Sequence, residues 1–326
     1  MDDARPAGVP WASVPISALE HYAYCPRQAA LIHLDRDFTD NANDLLLRCA
    51  ADNRAVTWLS RNGRFLGRVG GNLIGNPLLR LQQARAHDDP GRRLDIARSL
   101  VAGKLHNYRQ LLLRIARDAE PARQGEIRAV AASHADSLAA AARAGSMTEL
   151  LGVEGAAARP YFQSMPLLAR GVPRGRSRRP PEDQFNCLLS FCYGMLRVAV
   201  VGALEQVGLD PYIGYLHAVR PGKPSLALDV MEEFRPLLVD RFVLTLFNRK
   251  EITAKHTTQD PAGGVTLTDD GRAFVLDRWS KARERVWRHS VLERDIPAAL
   301  LPNVQARLLA RHLRADQPAY QPWIAS

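Results

Sequence analysis

The stretch HAVRPGKPSLALDVMEEFR, residues 217–235, holds one imidazole and several carboxylates at short range. His217 precedes Asp229 by 12 residues and Glu232 by 15. Pro221, Gly222, Lys223 and Pro224 predict a turn after the histidine, because proline fixes φ and glycine relaxes it. Residues 229–238 read as the start of a helix, and Asp229, Glu232 and Glu233 fall three and four apart on it. One helical face therefore carries more than one carboxylate. A histidine and acidic oxygens folded back on one another suit a hard divalent ion such as Mg²⁺ or Mn²⁺. The plainer alternative is that acids in a first helical turn complement the helix dipole and nothing more.

A further carboxylate stands in MTELLGVEGAAARPYF, residues 147–162. Glu154 lies in an apolar, small-residue stretch where Gly155, Ala156, Ala157 and Ala158 leave room for close approach. A buried carboxylate is costly unless paired or bound to a metal, so metal ligation competes with an ion pair to Arg159, five residues on.

Positive charge is the other chemical feature. The net charge is +10 with a pI of about 9.8, and beside acid clusters that surplus points to a polyanionic partner such as nucleic acid. Arg170, Arg174, Arg176, Arg178 and Arg179 crowd a Pro/Gly-rich connector over residues 169–182. That composition predicts a mobile loop suited to phosphates, with a solvated linker as the competing view. Arg249 and Lys250 add two more cationic groups.

The elements that must position these groups are mostly helices. Residues 56–59 and 64–69 predict strands around Arg61, Asn62 and Gly63, a strong hairpin signal. Apolar periodicity then predicts helices over 94–116, 127–143, 183–207, 269–286 and 300–313. On the first of these, Lys104, Asn107, Arg109 and Arg114 read as a polar, basic flank. Cys187 and Cys192 fit core packing, and Cys25 is a lone thiol that cannot hold a cluster needing four ligands. No apolar run reaches the roughly 18 residues of a membrane span, no signal peptide is visible, and four unpatterned cysteines fit the cytoplasm. Walker A, dinucleotide-binding, HExxH and GxSxG motifs are absent.

Together LLGVEGAAARPYF, PPEDQFNCLLSFCYGML, GYLHAVRPGKPSLALDVMEEFRPLLVDR and LLPNVQARLLARHLR resemble the CRISPR-associated integrase, which inserts new spacers in the adaptation complex. The resemblance runs from about residue 45 to the C-terminus. It implies a mainly α protein, with a large all-helical catalytic domain over 77–326 and a small, truncated β domain over 45–76. Residues 1–44, with HYAYCPRQAALIHL, resemble the opening of the RecB-like CRISPR nuclease, without its catalytic motifs or cluster cysteines. The resemblance assigns a metal site to Glu154, His217 and Glu232, with Asp229 as a nearby acid that family members also use. It implies Mg²⁺ or Mn²⁺, double-stranded and branched DNA, a homodimer, a small adaptation subunit and a RecB-like nuclease as partners. The implied reaction is metal-assisted transesterification, with a catalytically silent DNA-binding subunit or a nuclease of branched DNA as alternatives.

Overall fold

The computed structural model describes residues 46, 48–49, 56–59, 65–69, 76–173, 175–178, 180–260 and 263–325. The N-terminal stretch with Cys25, the turn at 61–63, Arg174 and Arg179 lie outside the described residues. The chain divides into two compact units, residues 1–58 with 66–72, and 59–65 with 73–326. Strands β1 (Val56–Leu59) and β2 (Phe65–Val69) pair in a two-stranded sheet.

The second unit holds the helices, and local chemistry explains their starts. Asn76 and Asp89 accept backbone N–H bonds in the first turns of α1 (Pro77–Asp88) and α2 (Pro90–Asp118). Pro77, Pro90 and Pro121 stand where a helix has no use for an N–H, and Pro121 opens α3 (Pro121–Arg143). Ser146 caps α4 (Met147–Gln163), its Oγ 3.2 Å from the Glu149 amide. Asp183 caps α5 (Gln184–Val207), which ends on Gly208 in the left-handed conformation at φ 92°.

The chain then runs through α6 (Ser225–Met231), a wide π-type turn at Arg235–Asp240 and α7 (Arg241–Asn248). Strands β3 (Thr257–Gln259) and β4 (Val265–Leu267) form one antiparallel hairpin before α8 (Asp269–Arg283). A second hairpin pairs β5 (Val286–His289) with β6 (Arg294–Pro297), and α9 (Leu301–Leu313) follows.

Three expectations change. The region from residue 77 onward is mainly helical, as expected, but β5 takes over where the helix predicted to 286 would continue. Val286 and Trp287 favour a strand, and they pair with Pro297 and Ile296. The acidic helix expected over 229–238 is broken after Met231 and re-forms as the π-type turn. Pro236, without an N–H, cannot make the ordinary bond back to residue 232. Finally, α5 is long and apolar enough to cross a membrane, with hydropathy 1.9, but 67% of its apolar window is buried. Leu188, Leu189, Cys192, Val200 and Leu204 are sealed within the main core, so α5 serves as its central helix.

Candidate active site

Two packing arrangements set the site. A separate apolar cluster joins Leu94, Ala97, Val101 and Leu105 of α2 to Leu150 and Ala157 of α4 and to Leu216. Glu154 lies one turn from both Leu150 and Ala157, so that contact turns it toward α2. Leu216 anchors the segment whose next residue is His217. Facing them, Lys104 stands between Leu100 and Tyr108 on the buried stripe of α2 and is only 5% exposed.

The Lys104 ammonium donates to Glu154 Oε1 and lies 2.8 Å from Glu232 Oε2. Glu232 Oε1 faces His217 Nε2 at 3.9 Å and Arg235 Nη2 at 3.2 Å. The structure thus brings together Glu154, His217 and Glu232 from three separate segments, with Lys104 between the two glutamates and Arg235 beside Glu232. Burial raises the Glu232 carboxyl, but Arg235, Lys104 and His217 outweigh it and hold it down at about 2. Burial acts against the charge on Lys104, and Glu232 and Glu154 reverse that effect and raise its pKa.

Asp229 has a different place. Fully buried, it accepts from the backbone N–H groups of Tyr215 at 2.5 Å, Leu216 at 3.0 Å and His217 at 2.8 Å. Its Oδ1 also lies 2.7 Å from His217 Nδ1. A carboxylate receiving three N–H bonds is an acceptor there, so Nδ1 donates to Asp229 and Nε2 is the nitrogen turned toward Glu232. Asp229 therefore orients the imidazole. Gly214 permits this, since a β-carbon there would come within 2.6 Å of Asp229 Oδ2 and 2.7 Å of the Ser225 backbone.

Glu233 does not share the face of Glu232. It turns inward to Tyr320 Oη at 2.6 Å, Gln305 Nε2 at 3.0 Å and the Trp323 backbone N–H. Burial raises its carboxyl to about 8 against those hydrogen bonds. The expected role for the small residues around Glu154 also changes, because a β-carbon at Gly155 would meet nothing within 4 Å. Arg159 is exposed, and the partner of Glu154 is Lys104. Lys104 and Asn107, placed by sequence on a solvated flank, are both buried.

Of the arginines in the 169–182 connector, Arg178 is exposed and Arg170 reaches Glu120 at 2.9 Å with its side chain 81% exposed. Arg176 is turned inward, bonding Asn186 Oδ1 at 2.8 Å and Ser190 Oγ at 2.9 Å and lying over the Tyr193 ring. Among the described connector residues, Gly175 N–H donates to the Phe162 carbonyl and the Pro181 carbonyl accepts from Val265 N–H. Arg249 and Lys250 are exposed at the end of α7.

The donor set tests well for a hard divalent cation in kind, with two carboxylates and one imidazole nitrogen. Glu232 Oε2 is buried and accepts no hydrogen bond despite its ion-pair distance from Lys104. Among the described residues no three such side chains are grouped tightly enough to share an ion, because the Lys104 ammonium separates the two acids.

The profile of "CRISPR associated protein Cas1" matches residues 37–281. The chain is 44% identical to "CRISPR-associated endonuclease Cas1 2" of Rhodospirillum rubrum and 41% identical to "CRISPR-associated endonuclease Cas1 1" of Moorella thermoacetica. Each match covers 86% of this chain and 83% of the relative. A "CRISPR-associated exonuclease Cas4/endonuclease Cas1 fusion" of Geobacter sulfurreducens is 38% identical over 86% of this chain and 51% of its own length. Among solved structures, a CAS1 protein from Thermotoga maritima superposes with a TM-score of 0.71 at 26% identity, over 84% of this chain and 83% of that one. A "Cas6-RT-Cas1–Cas2 complex" gives 0.73 at 25% identity, over 86% of this chain and 31% of that one.

Proposed function

The chain belongs to the CRISPR-associated Cas1 family, and on that premise we propose that it is a metal-dependent DNA endonuclease and integrase of CRISPR adaptation. One observation carries the reading of the site. Lys104 bridges Glu154 and Glu232, far apart along the chain, and His217, held by buried Asp229, turns Nε2 toward Glu232.

Glu154, Glu232 and His217 Nε2 would hold Mg²⁺ or Mn²⁺, which when bound supplies Lewis-acid polarisation of a phosphate. The reaction we infer is transesterification. The 3′-hydroxyl oxygen of an incoming DNA end bonds to phosphorus, and the bond from phosphorus to the leaving 3′-oxygen breaks. His217, with Nδ1–H tied to Asp229, keeps an acceptor at Nε2 that suits taking up a hydroxyl proton as an alternative to ligation. Lys104 and Arg235 supply fixed positive charge where negative charge develops. Exposed Arg170, Arg178, Arg249 and Lys250 fit backbone phosphates without reading sequence.

Double-stranded and branched DNA are the substrates of this reading, with a second copy, a Cas2-type subunit and a Cas4-type nuclease as partners. The Cas1–Cas2 assembly and the Cas4/Cas1 fusion among the similar proteins support the last two. A second reading, a DNA-binding subunit without catalysis, is favoured by the ammonium that already bridges the two acids. Purified chain incubated with labelled branched DNA in Mn²⁺ or EDTA separates them. Strand joining or cutting is expected in Mn²⁺, absent in EDTA and lost in E154A. Joining by E154A in Mn²⁺ overturns the ligand assignment, and no reaction by the unaltered chain leaves the silent subunit.

A further inference from the structure

The segment that delivers His217 has no regular structure of its own. Residues 209–217 form neither helix nor strand, so their polar backbone groups need partners from elsewhere in the fold. On one side those partners come from a single face of α1. Arg80, Gln83 and His87 fall three and four apart, which aligns them along one stripe of that helix. Arg80 Nε donates to the Gly208 carbonyl at 3.3 Å. Gln83, fully buried, donates through Nε2 to the carbonyls of Asp210 and Ile213, both at 2.8 Å, and accepts from the Asp210 N–H at 2.9 Å. His87 Nδ1 lies 2.6 Å from the Gly214 carbonyl oxygen and is the donor there, because a carbonyl only accepts. Near the start of α2, Arg93 Nε donates to the Tyr215 carbonyl at 2.9 Å.

The N–H groups of Tyr215, Leu216 and His217 go instead to Asp229 on α6. The segment therefore runs between two sets of side chains, with its carbonyls held from α1 and α2 and its amides from α6. Gly214 lies so close to α6 that a β-carbon would come within 2.7 Å of the Ser225 backbone. Asp229 by itself cannot fix the segment, because a carboxylate on two rotatable bonds follows the amides it accepts from. Donors on a second element stop that movement.

We propose that His87 and Arg93 are positioning residues for the site, which act through the Gly214 and Tyr215 carbonyls to set the path of the chain into His217. That path fixes the Nδ1–H bond from His217 to Asp229, and with it the direction of Nε2 toward Glu232. Neither residue touches the reacting groups. Both roles rest on the reading of His217 as a working group of the proposed function. Gln83 shares the task, but it is sealed in the fold and makes three bonds, whereas His87 and Arg93 are half-buried and can be replaced singly.

The test is proton NMR of the full chain in EDTA, below the melting transition of each variant. The signal is the imidazole Nδ1–H of His217, which a hydrogen bond to a carboxylate moves far downfield and which H217N assigns by its loss. It should be sharp in the unaltered chain and broadened or lost in H87L and in R93L. H87N keeps an N–H where His87 Nδ1 stands, and R93Q keeps one where Arg93 Nε stands without its charge, so both should restore the signal. Calorimetric titration should show the Mn²⁺ dissociation constant raised about tenfold in the two leucine variants, the lower end for outer-shell partners of a metal ligand, and recovered in H87N and R93Q. A role in stability alone would lower the melting temperature and leave signal and dissociation constant unchanged, which would overturn the positioning role. So would absence of the signal from the unaltered chain, or rescue variants no better than leucine. A signal that responds as expected in a chain that binds no Mn²⁺ removes the proposed ligands and keeps the positioning role. Mn²⁺-dependent joining with an unresponsive signal does the reverse.

Discussion

Lys104 shows how a single side chain can be misread and why. By residue type it reads with Asn107, Arg109 and Arg114 as a polar, basic flank, and lysine is seldom fully buried. Yet Leu100, Lys104 and Tyr108 fall four apart, so the period that placed the leucines inside placed Lys104 inside too. The signal was the position; the chemistry of the side chain argued against it. Asp229 was legible as an acid close to His217 but not as its anchor, since backbone N–H donors leave no trace in a sequence. Replacing it tests that role. D229N puts an amide where four N–H donors converge, so His217 should lose its fixed tautomer. Mn²⁺ affinity, measured by calorimetric titration, should fall by about 10–100-fold, with DNA affinity in EDTA unchanged. Unaltered Mn²⁺ affinity would remove Asp229 from the site.

At the scale of elements, the π-type turn Arg235–Asp240 joins the site to the core. At one end Arg235 pairs with Glu232 and lies 4.9 Å from the Tyr193 ring centroid. At the other, Asp240 accepts from Tyr161 Oη at 2.8 Å and from the Tyr193 hydroxyl. Burial lifts the Asp240 carboxyl from 3.8 to about 6 despite those hydrogen bonds. A raised acid is stabilising while protonated, so its contribution is full below 3.8 and is lost as pH rises through about 6. The loss is on the order of 3 kcal/mol. Glu232, depressed to about 2, acts oppositely, stabilising at neutral pH and losing that contribution as pH falls below its ordinary 4.5. D240N keeps an acceptor and removes the charge, so urea unfolding across these pH values should show unaltered protein losing stability relative to D240N as pH rises. A constant difference between the two would mean that Asp240 does not titrate in this range.

For the molecule as a whole, the C-terminal segment closes the core behind the site. Trp323 is fully buried, its carbonyl bonded by Asn107 Nδ2 at 2.9 Å and its N–H by Glu233. Ala325 N–H returns to Asn107 Oδ1 at 3.0 Å, and Pro322 packs where a β-carbon at Gly103 would come within 2.6 Å. Residues 103–107 of α2 and Glu233, flanking Lys104 and Glu232, are therefore held by the last residues of the chain. Truncation after Ala319 should cost more than about 5 kcal/mol, because it empties an aromatic site and strips partners from a buried acid. Thermal melting would register the loss, whereas an unchanged transition would mean that the core closes without this segment.

By itself the sequence determined the long helices, the two N-terminal strands and the identity of Glu154, His217 and Glu232 as candidate groups. Those features rest on local rules: proline and polar caps act within one turn, and buried faces repeat at the helical period. Tertiary structure alone decided which acid faced which base. Neighbours Glu232 and Glu233 differ in direction, partners and protonation because one meets Lys104 and Arg235 while the other meets Tyr320 and Trp323, 87 and 90 residues farther along the chain. Electrostatic environment depends on distance through space, and the order of residues carries no record of contacts made across the fold.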